Sequence, residues 1–300
     1  MIEAIPNVSE GQRREVISTL ESALRRVAGL VVLDVSSDAA HHRSVFTFAG
    51  DADAVATASL ALVERAIALI DLRTHRGVHP RLGAVDVLPF VPLEGVTLDT
   101  CVALARRVGA EAAARWRLPV YLYEAAASSE ARRRLEDVRR GEFEGLALRM
   151  RDPAWAPDFG PSEPHPSAGA LIVGARLPLI AFNVNLDSDD LAVARAIARV
   201  VRERSGGLPA VKALGLPLAD RGVVQVSMNL TDFTRTSPRV AFEAVRREAA
   251  RRGVQVRETE LVGLIPRAAL ADTTPAALQL SGFRQDQILE ERLAHTAANG

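Results

Sequence analysis

The apolar and polar positions in the first part of the chain predict a fixed order of short strands and longer amphipathic helices. Apolar runs of strand length alternate with stretches in which apolar residues recur at helical spacing. Ser9 and Gln12 form a capping-box pattern for the first helix, and Asp51 is a candidate N-cap for the second. The predicted elements are a strand at Ile2–Ile5, a helix from Ser9 to about Val27, strands at Leu30–Val35 and Ser44–Ala49, a helix from Asp51 to about Ile70, and a strand at Gly83–Phe90.

The same βαββαβ order returns in the C-terminal part of the chain. Its predicted elements are a strand at Leu179–Asn185, a helix at Ser188–Ser205, strands at Val211–Leu214 and Val223–Met228, a helix at Pro238–Arg252, and a strand at Val254–Glu260. The residues themselves do not repeat, so the pattern indicates a duplicated architecture rather than a duplicated sequence. We therefore predict an α+β fold of two ferredoxin-like subdomains, residues 1–177 and 178–300.

The region between the two units predicts further helices at about Leu98–Arg115 and Ser129–Arg140, with a strand at Val120–Tyr123. A loop dense in proline and glycine follows at Trp155–Gly169. A plain linker would be polar and featureless, whereas this loop carries aromatic, acidic and imidazole side chains. We interpret it as a loop that clasps a ligand between the subdomains.

The composition describes a soluble globular protein and argues against several other classes. The chain has 300 residues, 48% of them hydrophobic, and 37 basic residues balance 37 acidic ones. This zero net charge argues against a nucleic-acid partner. The single cysteine, Cys101, excludes a disulfide framework, and its place on the apolar stripe of a predicted helix favours a core position. Without a secretion signal or an apolar run of about 20 residues, we expect a cytoplasmic protein with no membrane partner.

The segment Arg73–Phe90 is the densest in ionisable groups and indicates an active-site loop. It holds two histidines on a backbone broken by glycine and proline, and it continues into the apolar strand that carries Asp86. Pro80 biases His79 toward an extended backbone, and glycines on either side allow sharp turns. Because an imidazole titrates near neutral pH, His79 is a candidate for proton transfer. The alternative is an ordinary surface histidine.

Four histidines are candidate metal ligands: His41, His42, His75 and His79. The last two have the spacing of neighbours on a helix, but Gly77 and Pro80 disfavour a helix there. The glutamate of the zinc-protease pattern is also missing. We therefore expect no metal. A turn before a strand is the alternative explanation of the first two histidines.

Arginines at strand starts and in loops are candidates for binding an acidic ligand, because a guanidinium binds a carboxylate through two hydrogen bonds. They are Arg43, Arg73, Arg76, Arg81 and Arg176. The alternative for each is a solvated surface position. The apolar run Gly169–Gly174 matches neither a phosphate-binding loop nor the dinucleotide pattern. The residues alone thus indicate an enzyme with a histidine-centred proton-transfer site and an acidic, flat-ringed ligand.

Seven separate motifs, in one order along the chain, carry a resemblance to a known family. They are Ile5–Gly11, Arg76–Asp86, Tyr121–Tyr123, Trp155–Pro161, Gly174–Arg176, Ile180–Asn185 and Gln225–Leu230. They resemble the glutamate formimidoyltransferase family, which is also the family of the transferase half of formimidoyltransferase-cyclodeaminase. The resemblance runs in register to about Pro266, and no cyclodeaminase half is expected.

The resemblance implies transfer of a formimidoyl group from N-formimidoyl-L-glutamate to N5 of tetrahydrofolate, in histidine degradation. It implies tetrahydrofolate as co-substrate, no metal, a homodimer, a folate-binding cleft between the subdomains, and His79 as general base and then acid. The implied folate-binding residues are Gly160, Pro161, Ser162, Glu163, Pro164, His165, Pro166, Ser167, Ala168 and Gly169. The possible supporting residues are Asp38, Arg43, Arg81 and Arg176.

Two departures from the vertebrate members, and two alternative functions, accompany the resemblance. Ser36 stands where those members carry an acid, so Asp38 is the nearest candidate for a supporting carboxylate. Ala168 stands where they carry a tryptophan, which removes one stacking surface. An enzyme acting on 5-formyltetrahydrofolate would keep the fold and the folate but change the one-carbon unit. A non-catalytic regulator that binds folate or an amino acid would keep only the fold.

Overall fold

The computed structural model describes residues 1–39, 41–77, 80–218 and 221–299. The chain divides into two compact units, Met1–Arg176 and Leu177–Gly300. Each unit has its own sheet, with seven strands in the first and four in the second. This mixture of helices with two sheets is compatible with the predicted α+β class.

The first unit contains a mixed sheet in the order β3-β4-(β1 and β2)-β5-β7-β6. Its elements are β1 (Ile2–Ala4), β2 (Asn7–Val8), α1 (Arg14–Arg25), β3 (Val31–Asp38), β4 (Arg43–Gly50), α2 (Ala52–Leu69), β5 (Val85–Pro92), α3 (Leu98–Trp116), β6 (Val120–Glu124), α4 (Leu135–Val138), α5 (Glu142–Arg149) and β7 (Leu171–Ala175). The strands β1 and β2 each pair with β4 and with β5, and these pairings are antiparallel. Together they therefore act as one interrupted strand.

The strand β7 is absent from the predicted elements. It lies between β5 and β6 and runs parallel to both, and α3 packs against all three strands. Every residue of β7 is buried, as expected of a strand covered on both faces, so its sequence has no polar alternation. The single helix predicted over Ser129–Arg140 is wrong. That region forms a 3-10 turn at Glu130–Arg132 and then the short helix α4.

The two predicted helix starts have different outcomes. Asp51 caps α2 as predicted, because its side chain accepts hydrogen bonds from the backbone N–H groups of Asp53 and Ala54. The capping box predicted at Ser9 is wrong. The Ser9 hydroxyl donates to the carbonyl oxygen of Gly83 over 2.7 Å, and the helix α1 begins only at Arg14. The Ser9 side chain thus makes a long-range hydrogen bond instead of capping the helix, as the local pattern predicted.

The second unit is an antiparallel sheet in the order β11-β8-β10-β9 with two helices packed on each other. Its elements are β8 (Ile180–Leu186), α6 (Leu191–Val201), β9 (Val211–Leu218), β10 (Val223–Leu230), α7 (Pro238–Ala250), β11 (Val256–Val262) and α8 (Leu289–Asn299). The predicted strand and helix positions agree with these to within a few residues, except that α6 is shorter than its predicted helix. Its predicted end forms a 3-10 turn at Glu203–Ser205.

Each unit has its own apolar core. Large buried side chains include Phe46 and Phe90 in the first core and Phe182 in the second. Each such side chain contributes roughly 1.5–3 kcal/mol relative to an exposed position. Cys101 is fully buried in the first core, as predicted, and burial raises the pKa of its thiol to about 11. Within the described ranges, none of the helices has both the length and the apolar character needed to cross a membrane.

Candidate functional site

The segment Arg73–Phe90 leads from the end of α2 into β5. Within it, Val78 and His79 lie outside the described residues. The residues around them line a cleft of about 730 Å³. One wall comes from segment 72–77 together with Arg81, and the other comes from residues 141–144 at the start of α5. Gly77 and Arg81, which stand on either side of His79 in the sequence, both line the cleft.

Arg81 is held by the opposite wall of the cleft. Its guanidinium is nearly buried and pairs with Glu144 over 2.6 Å and with Glu142 over 3.2 Å. The carbonyl oxygen of Arg81 also accepts the backbone N–H of Phe143 over 2.9 Å. The hydrogen bond from Arg81 is the main reason that the pKa of Glu144 is lowered. These contacts tie the two walls together.

The two acids that pair with Arg81 are not among the site residues predicted from the sequence. Glu142 and Glu144 follow Gly141 at the start of α5, and acids in the first helical turn are common because they face the positive end of the helix dipole. That local signal marks a helix start. It does not reveal that their partner is Arg81, which lies 61 and 63 residues earlier in the chain.

His75 forms the buried base of the same wall. It is 5% exposed, and its Nε2 lies 3.0 Å from the carbonyl oxygen of His42. Because a carbonyl only accepts, Nε2 carries the hydrogen, which leaves Nδ1 as an acceptor in the neutral ring. Burial is the main cause that lowers the pKa of His75, and the charges of His42 and Arg81 act in the same direction. The imidazole is therefore neutral near pH 7.

His42 and Glu10 support His75 from behind. The two imidazole rings stack with centroids 4.1 Å apart, and the backbone N–H of Gly11 donates to Nδ1 of His42 over 3.1 Å. The Glu10 carboxylate is fully buried, and burial by itself raises its pKa. Backbone N–H groups of Gln12 and Arg13, with the Arg13 side chain, outweigh burial, so that the pKa is lowered. A buried carboxylate with several hydrogen bonds therefore lies beside His42, in the turn predicted before β4.

Asp86 is a buried carboxylate within the segment Arg73–Phe90. It is 1% exposed, accepts the backbone N–H of Leu82 over 2.6 Å, and pairs with the guanidinium of Arg139. Burial, and then the charge of Arg139, lower the pKa of Arg43, while the charges of Asp86 and Asp38 oppose this shift. Asp38 accepts hydrogen bonds from the backbone and the ring of His41. Of the four possible supporting residues, only Arg81 is among the described residues that line the cleft.

Arg176, the remaining possible supporting residue, directly follows β7. Its backbone N–H donates to the carbonyl oxygen of Phe90 over 3.0 Å. The buried Tyr123 lies near it, and burial raises the pKa of that phenol to about 12, while the charge of Arg176 opposes the rise. Arg176 therefore lies at the end of the parallel strands of the first unit.

The end of the predicted folate loop packs against the segment that carries His79. His165 and Gly169 exchange two backbone hydrogen bonds, and Nδ1 of His165 accepts the N–H of Ala168 over 3.1 Å. The carbonyl oxygens of Ser167 and Ala168 accept the N–H groups of Leu72 and Ala84, respectively. The structure therefore brings together the two segments that the sequence singles out separately.

Exposure differs along the predicted folate loop. Exposed positions are Gly160, Ser162, Glu163 and Pro166; partly buried positions are Pro161, Pro164, His165 and Ser167; buried positions are Ala168 and Gly169. Burial lowers the pKa of His165. Since Nδ1 of this ring accepts a backbone N–H, its Nε2 carries the hydrogen of the neutral form. His165 can thus offer one donor to a neighbouring group.

The first part of the proline-rich loop is bound internally. Asp158 accepts the guanidinium of Arg132 over 3.0 Å and the backbone N–H of Leu122 over 2.8 Å. Trp155 stacks beneath Arg149, whose guanidinium carbon lies 3.3 Å from the ring centroid. These side chains, interpreted from the sequence as ligand contacts, fix the loop to the first unit.

The second unit carries a polar cluster that the sequence did not single out as a site. Asn185 is fully buried, accepts the Gln225 amide over 2.9 Å and donates to Glu260 over 2.8 Å. Arg221 pairs with Glu258 and Glu260. Asn185 and Gln225 belong to two of the motifs that carry the family resemblance, and neighbouring strands β8 and β10 place them side by side.

The described ranges contain no group of three or more His, Cys, Asp or Glu side chains placed to hold one metal ion.

Comparison with known proteins agrees with the division of the chain. The family model described as the formiminotransferase domain, N-terminal subdomain, matches residues 1–176, and the model described as the formiminotransferase domain matches residues 181–291. Glutamate formimidoyltransferase of Streptococcus pyogenes serotype M1 is 43% identical over 98% of each chain. The protein of the same name from Thermoplasma acidophilum is 43% identical over 99% of this chain and 98% of its own. Formimidoyltransferase-cyclodeaminase of Rattus norvegicus is 41% identical over 91% of this chain and 51% of its own.

Proposed function

The chain belongs to the formiminotransferase family, and from that premise we propose that it transfers the formimidoyl group from N-formimidoyl-L-glutamate to N5 of tetrahydrofolate. The products are 5-formimidoyltetrahydrofolate and L-glutamate. The observation that carries the proposal is the match, at 43% identity over 98% of both chains, to a relative named glutamate formimidoyltransferase. On this proposal the protein is a one-carbon transferase of histidine degradation, with tetrahydrofolate as its co-substrate.

The chemistry requires two proton transfers. The N5 lone pair attacks the formimidoyl carbon, a new C–N5 bond forms, and N5 gives up its proton. The bond from that carbon to the glutamate nitrogen then breaks as the nitrogen takes up a proton. One imidazole with a near-neutral pKa can accept the first proton and supply the second, and His79 has this role in the proposal.

The cleft around the described part of the segment supports this role. His79 lies in the chain between Arg76 and Arg81, which both line the cleft. Both substrates carry carboxylates, which arginines bind through paired hydrogen bonds. The neutral imidazole of His75 adds no positive charge to the cleft wall. This cleft wall thus carries the positive charge of Arg76 at its exposed rim and the neutral His75 at its buried base.

The proposal extends to the fold and the folate loop. Both units place their βαββαβ strands in the spatial order fourth, first, third, second, which supports two ferredoxin-like halves. The folate is assigned to residues 160–169, whose last residues bond to Leu72 and Ala84 beside the cleft wall. The predicted folate-binding cleft, the homodimer and the cytoplasmic location stay predictions.

Replacing His79 tests the proposal directly. Formation of 5,10-methenyltetrahydrofolate is followed by absorbance in an assay coupled to a cyclodeaminase, with formimidoylglutamate and tetrahydrofolate as substrates. The variant His79→Asn is expected to lower kcat by about 10²- to 10⁴-fold, because it cannot relay a proton, and to keep its affinity for folate.

Each other outcome has a distinct meaning. If the wild type binds folate but shows no turnover, the proposed function is wrong, and 5-formyltetrahydrofolate becomes the next substrate to test. If the wild type turns over and His79→Asn is equally active, the reaction stands and the role of His79 does not.

A further inference from the structure

Three arginines line the cleft beside the segment that carries His79, and two of them are paired with carboxylates. Arg81 is bound by Glu142 and Glu144. Arg73 is bound by Asp71, whose two oxygens accept its Nε and Nη2 over 2.5–3.1 Å. Each of these cations is neutralised by the protein itself.

Arg76 has a different environment. Its Nη1 donates to the carbonyl oxygens of His75, over 2.8 Å, and Arg73, over 3.3 Å. Among the residues described, no carboxylate forms an ion pair with its guanidinium, although its charge is felt by Glu144, whose pKa it helps to lower. The residue is exposed at the rim of the cleft. Arg76 is therefore the cation of the described cleft lining that lacks an acidic partner.

The two carbonyl contacts orient the guanidinium without using up its donors. A guanidinium carries five N–H donors, and both contacts are made by Nη1. The edge formed by Nε and Nη2 can still donate two parallel hydrogen bonds to one carboxylate. Carbonyl oxygens carry no net charge, so these two contacts leave the positive charge of Arg76 uncompensated.

The chain places this cation close to the reacting atoms. His79 is three positions after Arg76 in the chain, a separation that extended chain spans in at most about 11 Å. In formimidoylglutamate the α-carboxylate is attached to the carbon that bears the reacting nitrogen, only a few bonds from the formimidoyl carbon. In tetrahydrofolate the glutamate carboxylates lie beyond the aminobenzoyl ring, far from N5. The short reach suits the first substrate.

We propose that Arg76 binds the α-carboxylate of formimidoylglutamate and so sets the preference for a glutamyl donor at this cleft. This inference rests on the proposed function. Arg81, by contrast, holds the two walls of the cleft together through Glu142 and Glu144.

The test compares Arg76→Gln, Arg76→Lys and Arg73→Gln with the wild type in the coupled assay. Loss of a charge-assisted carboxylate contact is expected to raise the KM for formimidoylglutamate on the order of 10- to 100-fold in Arg76→Gln. The kcat and the KM for tetrahydrofolate stay within about threefold of wild type, since the contact is the same in the ground state and the transition state. Arg76→Lys recovers part of the lost affinity because it keeps the charge. Inhibition by the product L-glutamate weakens in parallel.

The controls separate a specific contact from a general effect of charge. Arg73→Gln removes one positive charge from the same cleft, but from an arginine already paired with Asp71, so its KM rises far less. Arg25→Gln, on the exposed face of α1, reports any effect of the substitution itself. Circular dichroism and the Tm confirm that every variant is folded.

The outcomes distinguish failure of the inference from failure of the proposed function. An inactive wild type would overturn the proposed function. An active wild type with an unchanged KM in Arg76→Gln, or with equal rises in Arg76→Gln and Arg73→Gln, would overturn the assignment of Arg76 alone. If Arg76→Gln raised only the KM for tetrahydrofolate, Arg76 would be assigned to folate binding. That result would also overturn its assignment to formimidoylglutamate.

Discussion

At the residue scale, Asp86 connects the two walls of the cleft. Its carboxylate accepts the backbone N–H of Leu82, which follows Arg81 in one wall. It also pairs with Arg139, which precedes residues 141–144 of the other wall. Both partners of this ion pair are largely buried, with side-chain exposures of 2% for Asp86 and 15% for Arg139. Removing one partner would leave the other as a buried charge, which is the costly case for an ion pair.

The variant Asp86→Ala is expected to lower the free energy of unfolding by about 3–5 kcal/mol. The control Glu21→Ala, which removes the partner of the exposed Arg25 on the surface of α1, is expected to cost less than about 1 kcal/mol. Urea denaturation followed by circular dichroism measures both. A loss for Asp86→Ala as small as that for the control would mean that the pair does not stabilise the walls.

At the element scale, the end of the predicted folate loop packs closely against the residues that precede β5. Gly169 adopts φ +67°, and a Cβ at this position would lie 2.1 Å from the carbonyl oxygen of Leu82. Gly83 faces the same contact from the other side, since its Cβ would lie 1.9 Å from the carbonyl oxygen of Ala170. Two backbones approach here more closely than side chains allow. The glycines thus hold the predicted folate loop against the segment that carries His79.

The variant Gly169→Ala is expected to destabilise the protein by more than about 2 kcal/mol, because it adds a steric clash to the cost of a positive φ. Gly253→Ala is a matched control, with φ +70° and open space around its Cβ position. It carries only the conformational cost of about 1 kcal/mol. Thermal unfolding of the two variants separates these contributions. Equal losses would show that the close approach at Gly169 relaxes freely.

At the scale of the whole molecule, ionisable groups of two kinds make the stability fall on acidification. His75 and His165 have pKa values lowered below 6.5, chiefly by burial. The unfolded chain therefore binds more protons than the folded one, and stability falls as the pH drops below about 6.5. Glu10 and Glu144 have pKa values lowered below 4.5. Their contribution is present above 4.5 and is lost as the pH falls through their lower folded values.

The double variant His75→Gln, His165→Gln tests the upper of these two windows. It is expected to flatten the fall of Tm between pH 7 and pH 5 relative to wild type, because neither glutamine titrates. The slope is the readout, so a uniform loss of stability in the variant does not affect it. An unchanged slope would show that other groups govern the stability in this range.

The sequence alone determined the features that depend on neighbouring residues. Apolar periodicity located β8, β10, α2, α3 and α7, and the short polar side chain of Asp51 marked a helix start. Prediction from the sequence failed where one local pattern is compatible with two different structures. The apolar run at residues 170–174 was weighed as a nucleotide motif and forms most of the buried strand β7, and Ser9 bonds to Gly83 instead of capping a helix.

Which groups meet in the cleft is known only from the three-dimensional fold. The sequence pointed to the segment around His79 and to the predicted folate loop. The fold brings Ser167 and Ala168 of that loop against Leu72 and Ala84. Glu142 and Glu144 could not be found from the sequence, because their partner Arg81 is remote in the chain. A periodic pattern reports which face of an element avoids water, a property of adjacent residues. Which charges neutralise each other depends on how distant elements pack. That Arg76 has no carboxylate partner among the described residues is therefore visible only in the structure.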